Sequence, residues 1–61
     1  MSERSKRNAG HARQHLGWAT NDLKDAESFA KKAGDAALAK EIRGHIEKVN
    51  ATRDKLAAKL E

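Results

Sequence analysis

The sequence predicts an all-α protein, an antiparallel two-helix hairpin that dimerises into a four-helix bundle. Three observations predict it. A heptad repeat of small and apolar residues runs along both halves of the chain. One short segment around a glycine separates the two halves, and no proline interrupts either of them. The 61 residues form a single domain, because a chain of this length holds no second core.

The first helix is predicted over about residues 4–33, with the basic N-terminal end, residues 1–7, expected to fray. Its repeat alternates spacings of three and four residues through Ala9, Ala12, Leu16, Ala19, Leu23, Ala26, Ala30 and Ala33. An alternative with three helices places a break near Gly17 or at Thr20-Asn21-Asp22, where the residues resemble a helix cap. The unbroken repeat favours one long helix.

The turn is predicted at residues 33–35 and the second helix over about residues 36–60. Gly34 suits the left-handed position after a helix, and Asp35 is a good N-cap for the next one. The repeat resumes through Leu38, Ile42, His45, Val49, Thr52 and Leu56, with Ile46 and Leu60 beside it. A turn centred on Gly34 predicts that facing residue numbers sum to 68, so that His45 faces Leu23 inside the hairpin.

The small number of large apolar residues favours a homodimer. Twelve alanines make up about half of the apolar residues, and there are no disulfides to compensate. On a helix, Trp18 and Phe29 fall within about 20° of each other and away from the repeat, so one partner helix does not cover both. A second hairpin would bury them, or Trp18 would anchor another protein. The residues assigned to this interface are Trp18, Phe29, Leu16, Leu23, Ile42, Ile46, Val49 and Leu56.

Nothing in the sequence indicates catalysis. There is no cysteine or tyrosine, no glycine-rich phosphate loop, and no spacing typical of a catalytic triad. We expect no enzyme activity, no cofactor and no small-molecule substrate. The predicted function is that of a homo-oligomeric interaction module, an adaptor or regulator that docks on a protein partner.

The alternative function is nucleic-acid binding by the hairpin dimer. The net charge is +4, and Arg4, Lys6, Arg7 and Arg13 concentrate positive charge near the N-terminus, where they would contact phosphates. His11 and His15 share a helix face but have no third ligand at a matching position, so we expect no metal site. No apolar stretch approaches the length of a membrane span, and we expect a cytoplasmic protein.

Overall fold

A computed structural model describes residues 2–60 and shows two helices that pack against each other. Helix α1 comprises Glu3–Lys32, and helix α2 comprises Ala36–Leu60. Together they form an elongated antiparallel hairpin of about 47 × 14 × 11 Å. Helix α1 continues through Gly17 and Thr20 without a break, so the three-helix alternative is wrong. Neither helix contains a stretch that is long and apolar enough to cross a membrane.

The N-terminal end of α1 is capped by a serine. The Ser2 backbone is extended, and its hydroxyl oxygen accepts a hydrogen bond of 3.1 Å from the Ser5 backbone N–H. This bond satisfies one of the free N–H groups of the first turn, and Glu3 complements the positive end of the helix dipole. The basic segment that we expected to fray is therefore helical from Glu3 onward, and Met1 lies outside the described residues.

The turn between the helices has the geometry that the sequence predicts. Gly34 has a φ of +79°, a left-handed conformation that costs glycine nothing. The N–H of Asp35 donates to the carbonyl of Ala30 at 3.0 Å, and the N–H of Gly34 donates to Lys31 at 3.0 Å, which is a Schellman cap. The Asp35 carboxylate then accepts from the Leu38 N–H at 2.9 Å and begins α2.

The interface between the helices differs from the predicted interface. At about half of its positions, the buried residue is the one that follows the predicted residue in the chain. Five residues are buried along it: Thr20, Glu27, Ala30, Ala39 and Ile46. Partly buried residues complete the same repeat, and they are Leu16, Leu23, Ile42, Val49, Arg53, Leu56 and Leu60. Ala9 and Ala19 of the predicted repeat are also partly buried. Six positions of that repeat are exposed: Ala12, Ala26, Ala33, Leu38, His45 and Thr52.

This rotation has a physical reason on each helix. On α2 it moves His45 out to solvent and brings in Ile46, which is only 1% exposed. Burying an isoleucine stabilises the fold, whereas an enclosed imidazole needs a hydrogen-bond partner. On α1 it brings in Glu27, whose carboxylate is satisfied by Arg43 of α2.

The cross-helix contacts give the register directly. Glu27 contacts Arg43, Thr20 contacts Asn50, and Gly17 lies against Arg53. The residue numbers in each pair sum to 70, so the predicted sum of 68 is wrong, and Leu23 does not face an enclosed His45. The pairing between the helices is therefore centred on residue 35, one residue after Gly34 at the midpoint of the connection.

Candidate interaction surfaces

A bidentate ion pair joins the helices near the turn. Arg43 donates from Nε to Glu27 Oε2 at 2.7 Å and from Nη2 to Oε1 at 2.6 Å. The hydrogen bonds from Arg43 lower the pKa of the Glu27 carboxyl below its ordinary value of 4.5, although burial opposes this shift. They also raise the pKa of Arg43. Both charges are satisfied within the hairpin, so this pair is structural and offers little to a ligand.

A second polar contact occupies the middle of the interface. Thr20 is 3% exposed, and its hydroxyl donates to the Leu16 carbonyl at 3.0 Å. The same hydroxyl lies 3.4 Å from Oδ1 of Asn50. The bond to the Leu16 carbonyl satisfies the donor of a hydroxyl that would otherwise be costly to bury. The small volume of Thr20 also lets the two backbones approach closely here.

A groove lies along one flank of the hairpin, toward the N-terminal half of α1. Its volume is about 480 Å³. Residues of α1 form most of its wall, and Arg53 and Leu60 of α2 close the other side. We call it the arginine groove, and the residues that define it are Arg13, Gln14, Gly17, Trp18, Asn21 and Arg53. Among residues 2–60 no carboxylate lines it.

Gly17 allows Arg53 to lie flat against α1 inside this groove. A Cβ atom at position 17 would lie 3.4 Å from Nη2 of Arg53 and 3.8 Å from its Nε. The Nε atom is buried, and no residue in the described range 2–60 accepts a hydrogen bond from it. In that range Arg53 also forms no ion pair, in contrast to Arg43. The Arg53 guanidinium is therefore held at the wall of the groove without a carboxylate partner among residues 2–60.

The opposite flank of the hairpin is apolar and uncovered. Ala26, Leu38 and His45 each lie one position before a buried residue of the interface, and in an antiparallel pair these flanks fall on the same side. Ala12 and Ala33 lie at heptad spacings from Ala26. Phe29 joins them, because it lies three residues after Ala26 and four before Ala33. We call this the alanine face, and its members are Ala12, Ala26, Phe29, Ala33, Leu38 and His45.

The large apolar side chains of the alanine face are well exposed. Phe29 is 68% exposed and Leu38 is 44% exposed. The Nζ atom of Lys32 lies 5.3 Å from the centre of the Phe29 ring, and this cation–π contact covers only part of the ring. The exposed apolar surface is therefore concentrated at the end of the hairpin that contains the turn.

The apolar residues that the sequence assigns to one interface are divided among three locations. Six of them pack in the hairpin itself, partly or fully buried: Leu16, Leu23, Ile42, Ile46, Val49 and Leu56. Phe29 lies on the alanine face. Trp18 is 53% exposed and lines the arginine groove. Both side chains are exposed in one hairpin, and their burial in a common interface with a second hairpin stays a prediction.

The N-terminal cations are exposed on the first turns of α1. Arg4, Lys6, Arg7 and Arg13 all face solvent, and no carboxylate occurs between residues 4 and 21. Of these four residues, only Arg13 lines the arginine groove.

The two N-terminal histidines are exposed as well. The His15 ring packs edge-on against Trp18, with ring centres 4.8 Å apart. No group of three potential metal ligands occurs within residues 2–60, and neither His11 nor His15 gains a third ligand there. His15 therefore supports the indole of Trp18 from the side.

Sequence reasoning missed Arg53 and Gly17 as a pair. Arg53 was not among the predicted site residues, and Gly17 was considered as a possible helix break. Their only sequence signal is that 17 and 53 sum to the register value of 70, which depends on knowing the register. Comparison with known proteins finds no family model, curated protein or solved structure that matches this chain.

Proposed function

We propose that the protein is a non-enzymatic helical module that acts as a homodimer, with two hairpins joined through their alanine faces into a four-helix bundle. The observation that carries this proposal is the surface that one hairpin leaves uncovered. A compact monomer of 6.7 kDa is expected to expose about 3,900 Å². This chain exposes 4690 Å².

The excess area matches the size of a protein interface. It amounts to about 800 Å² per chain, which is what one partner contributes to an interface of standard size, about 1,600 Å² in total. The radius of gyration points the same way. It is 14.3 Å, against about 10.5 Å for a compact domain of this length.

The chemistry of the alanine face favours a second copy of the same chain as its occupant. Small side chains at Ala26 and Ala33 let another helix approach closely, and Phe29 and Leu38 supply the apolar area. Three apolar positions per heptad are typical of helices that contact two neighbours, whereas two positions suffice for a single partner. We expect the dimer to serve as a docking module in the cytoplasm, and sequence composition alone supports that location.

The proposal is tested by the molar mass in solution and by one variant. Sedimentation equilibrium at micromolar concentration should give twice the chain mass for the wild-type protein. Ala26→Arg places a long charged side chain in the middle of the alanine face and should yield monomers. The matched control is Ala51→Arg, the same replacement at an exposed outward position of α2, and it should remain a dimer.

Two results would contradict the proposal. A wild-type protein that is monomeric and melts cooperatively would exclude self-association as the way it is stabilised. A dimer that survives Ala26→Arg, or that Ala51→Arg also disrupts, would place the interface on another surface.

A second candidate function is binding of nucleic acid, and a separate observation supports it. The stretch from residue 4 to residue 21 carries four exposed cations and no carboxylate, so the side chains of this half of α1 contribute only positive formal charge. Such a surface binds phosphates without reading bases. It leaves the alanine face free for dimerisation.

Fluorescence anisotropy with labelled single-stranded RNA and duplex DNA tests the second candidate. Binding should weaken steeply between about 50 and 200 mM salt, because counterions are released from the phosphates. The triple variant Arg4→Ala, Lys6→Ala and Arg7→Ala should weaken it strongly. The control carries an equal loss of charge on α2, Lys40→Ala, Lys48→Ala and Lys55→Ala, and should bind normally. Absence of binding at the lower salt concentration would refute this candidate.

A further inference from the structure

We infer that the arginine groove binds one nucleotide unit, with its phosphate held by Arg13 and Arg53 and its base against the Trp18 indole. This inference rests on the nucleic-acid candidate above, and it names the place where that surface holds a nucleotide rather than only a phosphate backbone. Arg53, Gly17, Gln14 and Asn21 belong to it, and none of them is part of the N-terminal basic segment.

Charge is the first argument. The two charged residues that line the groove, Arg13 and Arg53, are both arginines, and no carboxylate among residues 2–60 faces them there. Arg43 of the same hairpin does have a carboxylate nearby, and it forms a bidentate ion pair with Glu27. Within residues 2–60 no carboxylate pairs with Arg53, and no residue there accepts a hydrogen bond from its buried Nε. A phosphate would supply the missing acceptor for this guanidinium, because its oxygens match the planar fork.

The remaining wall supplies contacts for a planar ring. Trp18 is half-exposed at the groove, and the His15 ring packs edge-on against its ring with centres 4.8 Å apart. An indole held in this way is a stacking surface for a base. Gln14 and Asn21 line the same groove, and side-chain amides bond the polar edges of bases. An anion without a ring would use only part of this wall.

The size and direction of the groove fit the same ligand. Its volume of about 480 Å³ lies within the range of about 300–1,000 Å³ that is usual for sites that bind small molecules. Lys6 and Arg7 lie seven residues before Arg13 and Gln14, two turns earlier on the same flank of α1. A strand that leaves the groove toward the N-terminus would therefore meet two more cations.

Intrinsic fluorescence tests the inference without a label, because Trp18 is the single tryptophan and the chain has no tyrosine. The full chain is titrated with adenosine monophosphate, with a short single-stranded oligoadenylate and with inorganic phosphate. Adenosine monophosphate and the oligoadenylate should quench Trp18 emission. Inorganic phosphate should compete with adenosine monophosphate but cause much less quenching, because it has no base to stack.

Two variants and one control assign the contacts. Arg13→Ala and Arg53→Gln should each weaken nucleotide binding by about tenfold or more, because a charge-assisted hydrogen bond is lost. Each should also reduce the slope of log affinity against log salt for the oligoadenylate by about 0.7. Lys48→Ala removes one exposed charge of α2 outside the groove and should change neither quantity. Arg13 is exposed, so its variant keeps the test valid if Arg53→Gln fails to fold, which circular dichroism checks.

The outcomes separate this inference from the nucleic-acid candidate. Oligoadenylate binding that leaves Trp18 emission unchanged and ignores both groove variants would overturn the inference and leave the N-terminal candidate standing. Quenching by adenosine monophosphate without binding of RNA or DNA would support the groove and refute the candidate. Equal quenching by phosphate alone would overturn the assignment of the base to Trp18. No quenching by either nucleotide would overturn the inference.

Discussion

Replacing Ile46 with alanine tests the register of the hairpin most sharply. Ile46 is 1% exposed, and it is the largest fully buried side chain in the described residues. Its neighbour His45 is exposed. The heptad pattern of the sequence places His45 in the interface instead. The pair of variants Ile46→Ala and His45→Ala therefore distinguishes the two registers, because each register predicts a large effect for a different residue.

The magnitude follows from the burial of Ile46. Truncating a buried isoleucine to alanine costs about 2–5 kcal/mol, which includes the cavity it leaves. Two helices packed without further layers relax readily into such a cavity, so we expect about 2–3 kcal/mol. A chain of 61 residues is typically stable by only about 3–9 kcal/mol. The variant should therefore lose much of its free energy of unfolding, and its Tm should fall by about 10–20 °C. His45→Ala, at an exposed site, should change stability by less than about 0.5 kcal/mol.

Thermal and urea denaturation followed by circular dichroism measures both variants. All samples need the same protein concentration, because self-association shifts the apparent Tm by mass action. The reasoning is refuted if His45→Ala destabilises the protein as much as Ile46→Ala does. It is also refuted if Ile46→Ala melts within a few degrees of wild type, since an interface that tolerates this loss is not the one described.

The remaining predictions concern pH and glycine. Because the folded state lowers the pKa of Glu27, its ion pair with Arg43 stabilises the hairpin above the ordinary carboxyl pKa of 4.5, and this stabilisation is lost as the pH falls below that value. Urea titrations across this range should show a shallower acid loss for Glu27→Gln, and an unchanged acid profile would contradict the role of the pair. Gly34→Ala forces an alanine into a φ of +79° and should destabilise the protein by about 1–2 kcal/mol. Gly44→Ala meets no atom within 4 Å of the new Cβ and should stabilise it by about 1 kcal/mol through helix propensity. Thermal melts of both glycine variants check their opposite signs.

The helices and the turn were predictable because their signals are local. The left-handed position of Gly34 and the N-cap at Asp35 depend on a few neighbouring residues, and both predictions are confirmed. The N-terminal end shows the limit of this reasoning. Residues 1–7 were expected to fray, and the structure adds a cap there, since the Ser2 hydroxyl accepts a hydrogen bond from the Ser5 N–H. The packing of two helices in one hairpin is confirmed, whereas dimerisation remains a proposal.

The register was less predictable because two heptad repeats of similar apolar content, offset by one residue, could each form the interface. Ala26 and Ala33 look like interface residues by polarity, and Glu27 does not. The structure buries Glu27 because Arg43 is within reach, a condition that appears only after the helices are paired. The arginine groove follows from the same rotation, since Arg53 meets Gly17 only in the register with a sum of 70. Single-residue polarity does not contain this information.

Three of the six alanines in the first-helix repeat, Ala12, Ala26 and Ala33, are thus exposed in one hairpin, and a second contact would explain why alanine recurs there. An exposed helix position has no reason to favour alanine over lysine or glutamate beyond a small difference in propensity. A position that meets a helix of another chain does have a reason, because a larger side chain would separate the backbones. The regular spacing of Ala12, Ala26 and Ala33 therefore indicates a second contact rather than the first one. If Ala26→Arg left the molar mass unchanged, the repeat would reflect helix propensity alone, and Phe29 and Leu38 would then be isolated exposed side chains with no common partner.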